Sequence, residues 1–109
     1  MSLQPSDFDA KTLRRTGTVV ALFTAQWCPY CRSFAPIFES AELGNVVTKA
    51  IVDLSDLENP LWEVFEIEVV PTIIVFKDGS PAIRNDGVLG IGLPPDAMHR
   101  VARAVAPRH

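Results

Sequence analysis

The chain has only two cysteines, Cys28 and Cys31, and both stand in one motif. That leaves no framework of structural disulfides, and a staple across two intervening residues would barely constrain the unfolded chain. Cationic residues are also in short supply: ten Lys and Arg against thirteen Asp and Glu, a net charge of −3. A nucleic-acid partner is therefore not expected. No apolar run approaches the roughly 18 residues of a membrane-spanning helix, and the first residues lack the pattern of a secretory leader. Repeats and low-complexity stretches are missing too. Two free thiols in such a chain fit a reducing compartment, and the expectation is a cytoplasmic protein.

With 48% apolar and 21% charged residues, the 109-residue chain has the composition of an ordinary soluble domain. Its length suits one domain over residues 1–109, with a single hydrophobic core.

The chemistry concentrates at Trp27-Cys28-Pro29-Tyr30-Cys31. Residues 18–24 (TVVALFT) are β-rich and uncharged and read as a buried strand. From Pro29 the apolar positions become Phe34, Ile37, Phe38 and Ala41, one face of a helix. Proline suits the first helical position, where its missing N–H is not needed. Cys28 then falls at the N-cap, with the free N–H groups of Tyr30 and Cys31 aimed at its sulfur. The positive end of the helix dipole points the same way, so a Cys28 thiolate is expected to be stabilised. Cys31 lies on the same side of the first turn, within reach of Cys28. Such a dithiol can close into a disulfide and reopen. A zinc site would need two further ligands; only His99 and the terminal His109 are histidines, and their spacing does not suit one.

Elsewhere, Ser6-Asp7-Phe8-Asp9 resembles a capping box and predicts a short helix ended by Gly17. The helix from Pro29 is expected to kink at Pro36 and stop at Gly44. Strands are expected over residues 46–53, 69–76 and within 82–90, the last two joined by a hairpin at Lys77-Asp78-Gly79. Asn59-Pro60 caps a short helix with Leu61, Val64 and Phe65. The final helix starts near Pro94-Pro95 and ends at Pro107. Alternating strands and helices give an α/β fold: a mixed sheet of about four to five strands with helices on both faces. Its first two strands should be parallel, joined by a right-handed crossover.

In these features the chain resembles the thioredoxin family. The likeness rests on Trp-Cys-x-x-Cys after a buried strand, Pro36 five residues past Cys31, Val70-Pro71-Thr72, and Phe76-Lys77-Asp78-Gly79. The resemblance implies a thioredoxin-like fold, a cis Val70–Pro71 bond beside the cysteines, and substrate docking across Trp27, Pro29, Tyr30, Val70 and Pro71. It implies protein-disulfide reduction or exchange, with Cys28 attacking and Cys31 resolving. Lys49 matches a buried lysine of the family and, with Arg32, is a candidate for tuning the thiols. No metal or cofactor beyond the Cys28–Cys31 disulfide is expected. By family likeness the expected partners are disulfide-containing proteins and an electron-donating reductase or glutathione, and the protein is expected to be a monomer.

Four features depart from the family. Pro29-Tyr30 is the dipeptide typical of glutaredoxins, and Leu22 stands where thioredoxins usually carry a buried aspartate. Val69 replaces a common glycine, and the first strand is nearly missing. A glutathione-dependent enzyme and a non-enzymatic module holding a metal or iron–sulfur cluster are the alternatives.

Overall fold

Seven uncharged residues, Thr18–Thr24, form β3, the strand around which the sheet is built. The computed structural model describes residues 1–106; Pro107 and His109 lie outside that range. Before β3 come a 3-10 turn at Pro5–Asp7 and two short strands, β1 (Phe8–Asp9) and β2 (Thr12–Leu13). After it follow α1 (Pro29–Ser40), β4 (Val47–Asp53), α2 (Leu61–Val64), β5 (Thr72–Lys77), β6 (Ser80–Asn85) and α3 (Ala97–Val105). The main sheet has the order β4-β3-β5-β6. β3 and β4 are parallel, as a strand–helix–strand unit requires, and β5 runs antiparallel to both β3 and β6. In place of a full first strand, Ser2 forms a parallel bridge to Ile51 at the β4 edge.

Alternation along β3 divides the core. Val19, Ala21 and Phe23 face a cluster containing Phe8, Leu61, Phe65 and both cysteines. Val20 and Leu22 face the other cluster, under Phe34 and Phe38 of α1 and Met98 and Val101 of α3. The period of two in the strand and of 3.6 in the helices thus bury both faces of the sheet.

The N-terminal segment corrects the expectation of a helix ended by Gly17. Asp7 closes a capping arrangement with Gln4, whose N–H reaches the Asp7 carboxylate at 2.6 Å, but only one 3-10 turn follows. Ala10 then takes a positive φ of 52° and turns the chain into the β1–β2 hairpin. That turn sends Phe8 and Leu13 into the same cluster, with Phe8 edge-on to Phe65 at 5.3 Å. Burying two large apolar side chains outweighs a helix with few apolar positions of its own. Helix α1 likewise ends at Ser40, with an extended Ala41 as its cap, rather than running to Gly44. At the β5–β6 hairpin, Asp78 and Gly79 both have positive φ, as a two-residue turn of this hand requires. A Cβ on Gly79 would lie 2.5 Å from the Leu13 carbonyl, which accepts no such neighbour.

Candidate active site

The end of β3, the start of α1 and the loop before β5 meet at the dithiol. Pro29 opens α1 and Cys28 is its N-cap, in extended conformation. The Cys28 sulfur accepts the Cys31 N–H at 3.3 Å and donates its thiol to the Val70 carbonyl at 3.5 Å. The cap is thus made by one N–H, that of Cys31. Cys28 is 5% exposed and Cys31 1%; both are free thiols. Burial, and then a hydrogen bond with Cys28, push the Cys31 thiol from 9.0 up to about 11.

The Val70–Pro71 bond is cis, and the loop is braced from behind. Thr72 Oγ1 donates to the Val69 carbonyl at 2.6 Å and accepts the Gly87 N–H at 3.4 Å. In front of it lies an open groove of about 340 Å³. Cys28, Val70, Trp27, Trp62, Tyr30 and Leu89 are among the residues that line it. Trp27 is 54% exposed, its position set by a 2.9 Å bond from Nε1 to the Ser55 carbonyl.

The structure therefore brings together Trp27, Cys28, Pro29, Tyr30, Val70 and, through the loop, Pro71. It does not bring Lys49 there. The Lys49 ammonium donates to the carbonyls of Phe38, Glu39 and Ala41 at 3.1, 2.6 and 2.9 Å, closing the C-terminal end of α1. A twelve-residue helix is about 18 Å long, so the candidate tuning lysine sits a helix length from the thiols it was expected to influence. The cause is electrostatic: four orphan carbonyls and the negative dipole end attract the only cation on that strand. Arg32 is exposed and lines a recess of about 290 Å³ that also contains Cys31 and Asp53. There the Ser55 hydroxyl, as the first cause, holds the Asp53 carboxyl below its ordinary value. Leu22 is fully buried, with no polar group in its place.

Sequence reasoning missed two contributors. Trp62 reads as one more residue of a short helix, yet it stacks on Trp27 with centroids 6.4 Å apart. Leu89, 83% exposed, belongs to a glycine-rich segment whose register the sequence leaves open. Among the described residues, no group of three or more His, Cys, Asp or Glu side chains could hold a metal ion. No described helix is long and apolar enough to cross a membrane.

Two thiols, one capping a helix beside an open groove and the other sealed behind it, suit reversible disulfide formation. On this mixed four-stranded sheet they form a Cys-x-x-Cys dithiol site. The thioredoxin family model matches residues 1–91. Thioredoxin from Mycolicibacterium smegmatis is 33% identical over 93 residues, covering 83% of each chain. Thioredoxin from Staphylococcus epidermidis is 40% identical over 87 residues, covering 78% of each. Protein disulfide isomerase-like 2-3 of Oryza sativa is 35% identical over 89 residues, but the matched region spans only 20% of that protein and 80% of this chain. Among solved structures, a mutant thioredoxin from Halobacterium salinarum superposes with a TM-score of 0.75 at 23% identity, covering all of this chain and 92% of that one; it speaks for the fold. The chain belongs to the thioredoxin family.

Proposed function

We propose that the protein reduces or exchanges disulfides of other proteins through Cys28 and Cys31. The observation that carries this reading is the asymmetry of the pair: Cys28 borders the groove, while burial raises the Cys31 thiol to about 11. The Cys28 thiolate attacks one sulfur of a substrate disulfide. A mixed disulfide forms and the other substrate sulfur leaves, taking up a proton as a thiol. Cys31 then loses its proton and attacks the Cys28 sulfur, which releases the first substrate sulfur as the second thiol. Two electrons pass to the substrate, and the protein is left with a Cys28–Cys31 disulfide.

Trp27, Pro29, Tyr30 and the Val70-Pro71 loop position the substrate segment, whose main chain pairs with that of Val70 in the manner of an added strand. Arg32 adds positive charge on the Cys31 side. The reaction draws on no cofactor beyond the dithiol. An electron-donating reductase or glutathione returns the protein to its reduced state, in a reducing compartment such as the cytoplasm, with the protein acting as a monomer.

The test is turnover of insulin disulfides with either thioredoxin reductase and NADPH or glutathione as donor. Reduction with at least one donor, lost in Cys28→Ser, is the expected result. No turnover with either donor by a folded, reduced protein would overturn the proposal.

A further inference from the structure

Exchange chemistry as described leaves Trp62 without a role, although it forms part of the groove. Its ring lies 9° from parallel to that of Trp27. Both indoles hang from neighbouring carbonyls: Trp27 Nε1 donates to Ser55 at 2.9 Å and Trp62 Nε1 to Asp56 at 3.2 Å. With their N–H groups used inside the protein, the pair offers the groove an extended aromatic surface.

The segment that carries Trp62 and Glu68 is charged in one sign, and the nearby cations Lys11 and Arg84 are engaged with Glu66, with the Phe65 and Glu66 carbonyls and with Asp86. Residues 50–76 contain no Lys or Arg but six of the thirteen carboxylates: Asp53, Asp56, Glu58, Glu63, Glu66 and Glu68. Glu68 lines the groove together with the two tryptophans. Among the described residues, Glu66 is paired with Lys11 at 3.7 Å, whereas Glu63 and Glu68 have no ion-pair partner. A neutral aromatic group docking here would cover the indoles but leave the Glu68 carboxylate partly desolvated and unpaired. An acidic group would be repelled. A guanidinium meets both demands, since it stacks on an indole face and pairs with a carboxylate in one geometry.

We infer that Trp62 and Glu68 form a subsite for an arginine side chain beside the disulfide cysteine of the substrate protein. This rests on the groove being the substrate groove of the proposed reaction. The subsite would make the protein prefer disulfides in basic segments, with lysine a weaker substitute because its compact ammonium does not stack.

The experiment uses short peptides joined through one cysteine to thionitrobenzoate, differing only in the neighbouring residue: arginine, citrulline, phenylalanine or glutamate. The reduced protein becomes its disulfide while each peptide yields its thiol and coloured thionitrobenzoate, so single-turnover release reports capture. Arginine should outpace citrulline, its uncharged isostere, by about five-fold at low salt, with the ratio shrinking at high salt. Glu68→Gln, a surface change, should bring the arginine-to-citrulline ratio close to one, and Trp62→Leu should lower the rates for both. Equal rates for arginine and citrulline would overturn the subsite and leave the proposed exchange reaction standing. Phenylalanine outpacing arginine would overturn it in favour of a purely apolar site. Failure to release thionitrobenzoate from any peptide would instead sink the exchange reaction itself.

Discussion

The Tyr30 hydroxyl donates a 2.8 Å hydrogen bond to the carbonyl of Gly90, sixty residues away. One of the two residues between the cysteines thereby ties the first turn of α1 to the loop that carries Val88, Leu89 and Ile91. Gly92 comes so close beneath the ring that a Cβ there would lie 2.8 Å from the Tyr30 Cβ. In Tyr30→Phe the ring contact remains and the hydrogen bond is lost, at a cost of about 1 kcal/mol. The Gly92 amide, bonded to the Val88 carbonyl at 2.8 Å, should then exchange with solvent about five-fold faster. The KM for a protein disulfide should rise more than kcat changes. Unaltered amide exchange would show that Tyr30 does not hold the loop.

Alkylation should separate the two thiols. With its thiol at about 11, Cys31 is thiolate at pH 7.5 in only on the order of one molecule in a few thousand. One equivalent of iodoacetamide on the reduced protein should therefore label Cys28 almost alone, as peptide mass mapping would read. Predominant labelling of Cys31 would reverse the two roles.

The same thiol makes the stability of the reduced protein depend on alkaline pH. The fold favours the protonated Cys31 because its thiol is raised from 9.0 to about 11. This stabilisation is complete below about pH 9 and is lost as pH climbs through about 11, at roughly 1.4 kcal/mol per unit. Urea melts at pH 8 and 10.5 should show a larger loss for the reduced protein than for the oxidised one, which has no thiol to titrate. Equal losses would mean that Cys31 is not perturbed by the fold.

Leu22→Asp should trade stability for speed. Leu22 is fully buried among Val20, Phe34, Phe38 and Ile73, and a carboxyl group there costs about 2–4 kcal/mol and titrates nearer neutrality. A base of that strength inside the protein should accelerate resolution of the mixed disulfide at pH 7. Urea melts beside single-turnover kinetics from pH 6 to 9 check both halves. A mutant that is less stable but no faster would show that the wild type already deprotonates Cys31 adequately.

Lys49→Met should lower stability by about 2 kcal/mol, because it frees three helix-terminal carbonyls from a charged donor. Its thiol–disulfide potential, read by glutathione equilibration, should stay where it is. A shifted potential with unchanged stability would restore Lys49 to the redox site.

Local pattern made much of the molecule legible. The uncharged run before Trp27, Pro29 at the first helical position and the Asp78-Gly79 turn each act over a few residues, so β3, α1 and the β5–β6 hairpin follow from them. Segments with weak local signals went otherwise. Residues 6–17 carry a capping signature, yet a hairpin wins because Phe8 and Leu13 find Phe65 and Phe76, which are distant in sequence. Arg84 shows the same dependence. It donates to the carbonyls of Phe65 and Glu66 and grips Asp86, a set of partners no spacing rule reveals.

The sequence by itself determined the dithiol and its N-cap cysteine, because a motif, a proline and a helical period are short-range facts. Which side chains surround that dithiol was decided by the tertiary structure. The parallel β3–β4 crossover carries Lys49 to the far end of α1, and the return through α2 lays Trp62 against Trp27. The loop after β6 brings Leu89 and Gly90 to Tyr30. Each of these contacts joins residues eight or more positions apart. Their energy comes from burial and from carbonyls in search of donors, quantities that exist only once the sheet has assembled.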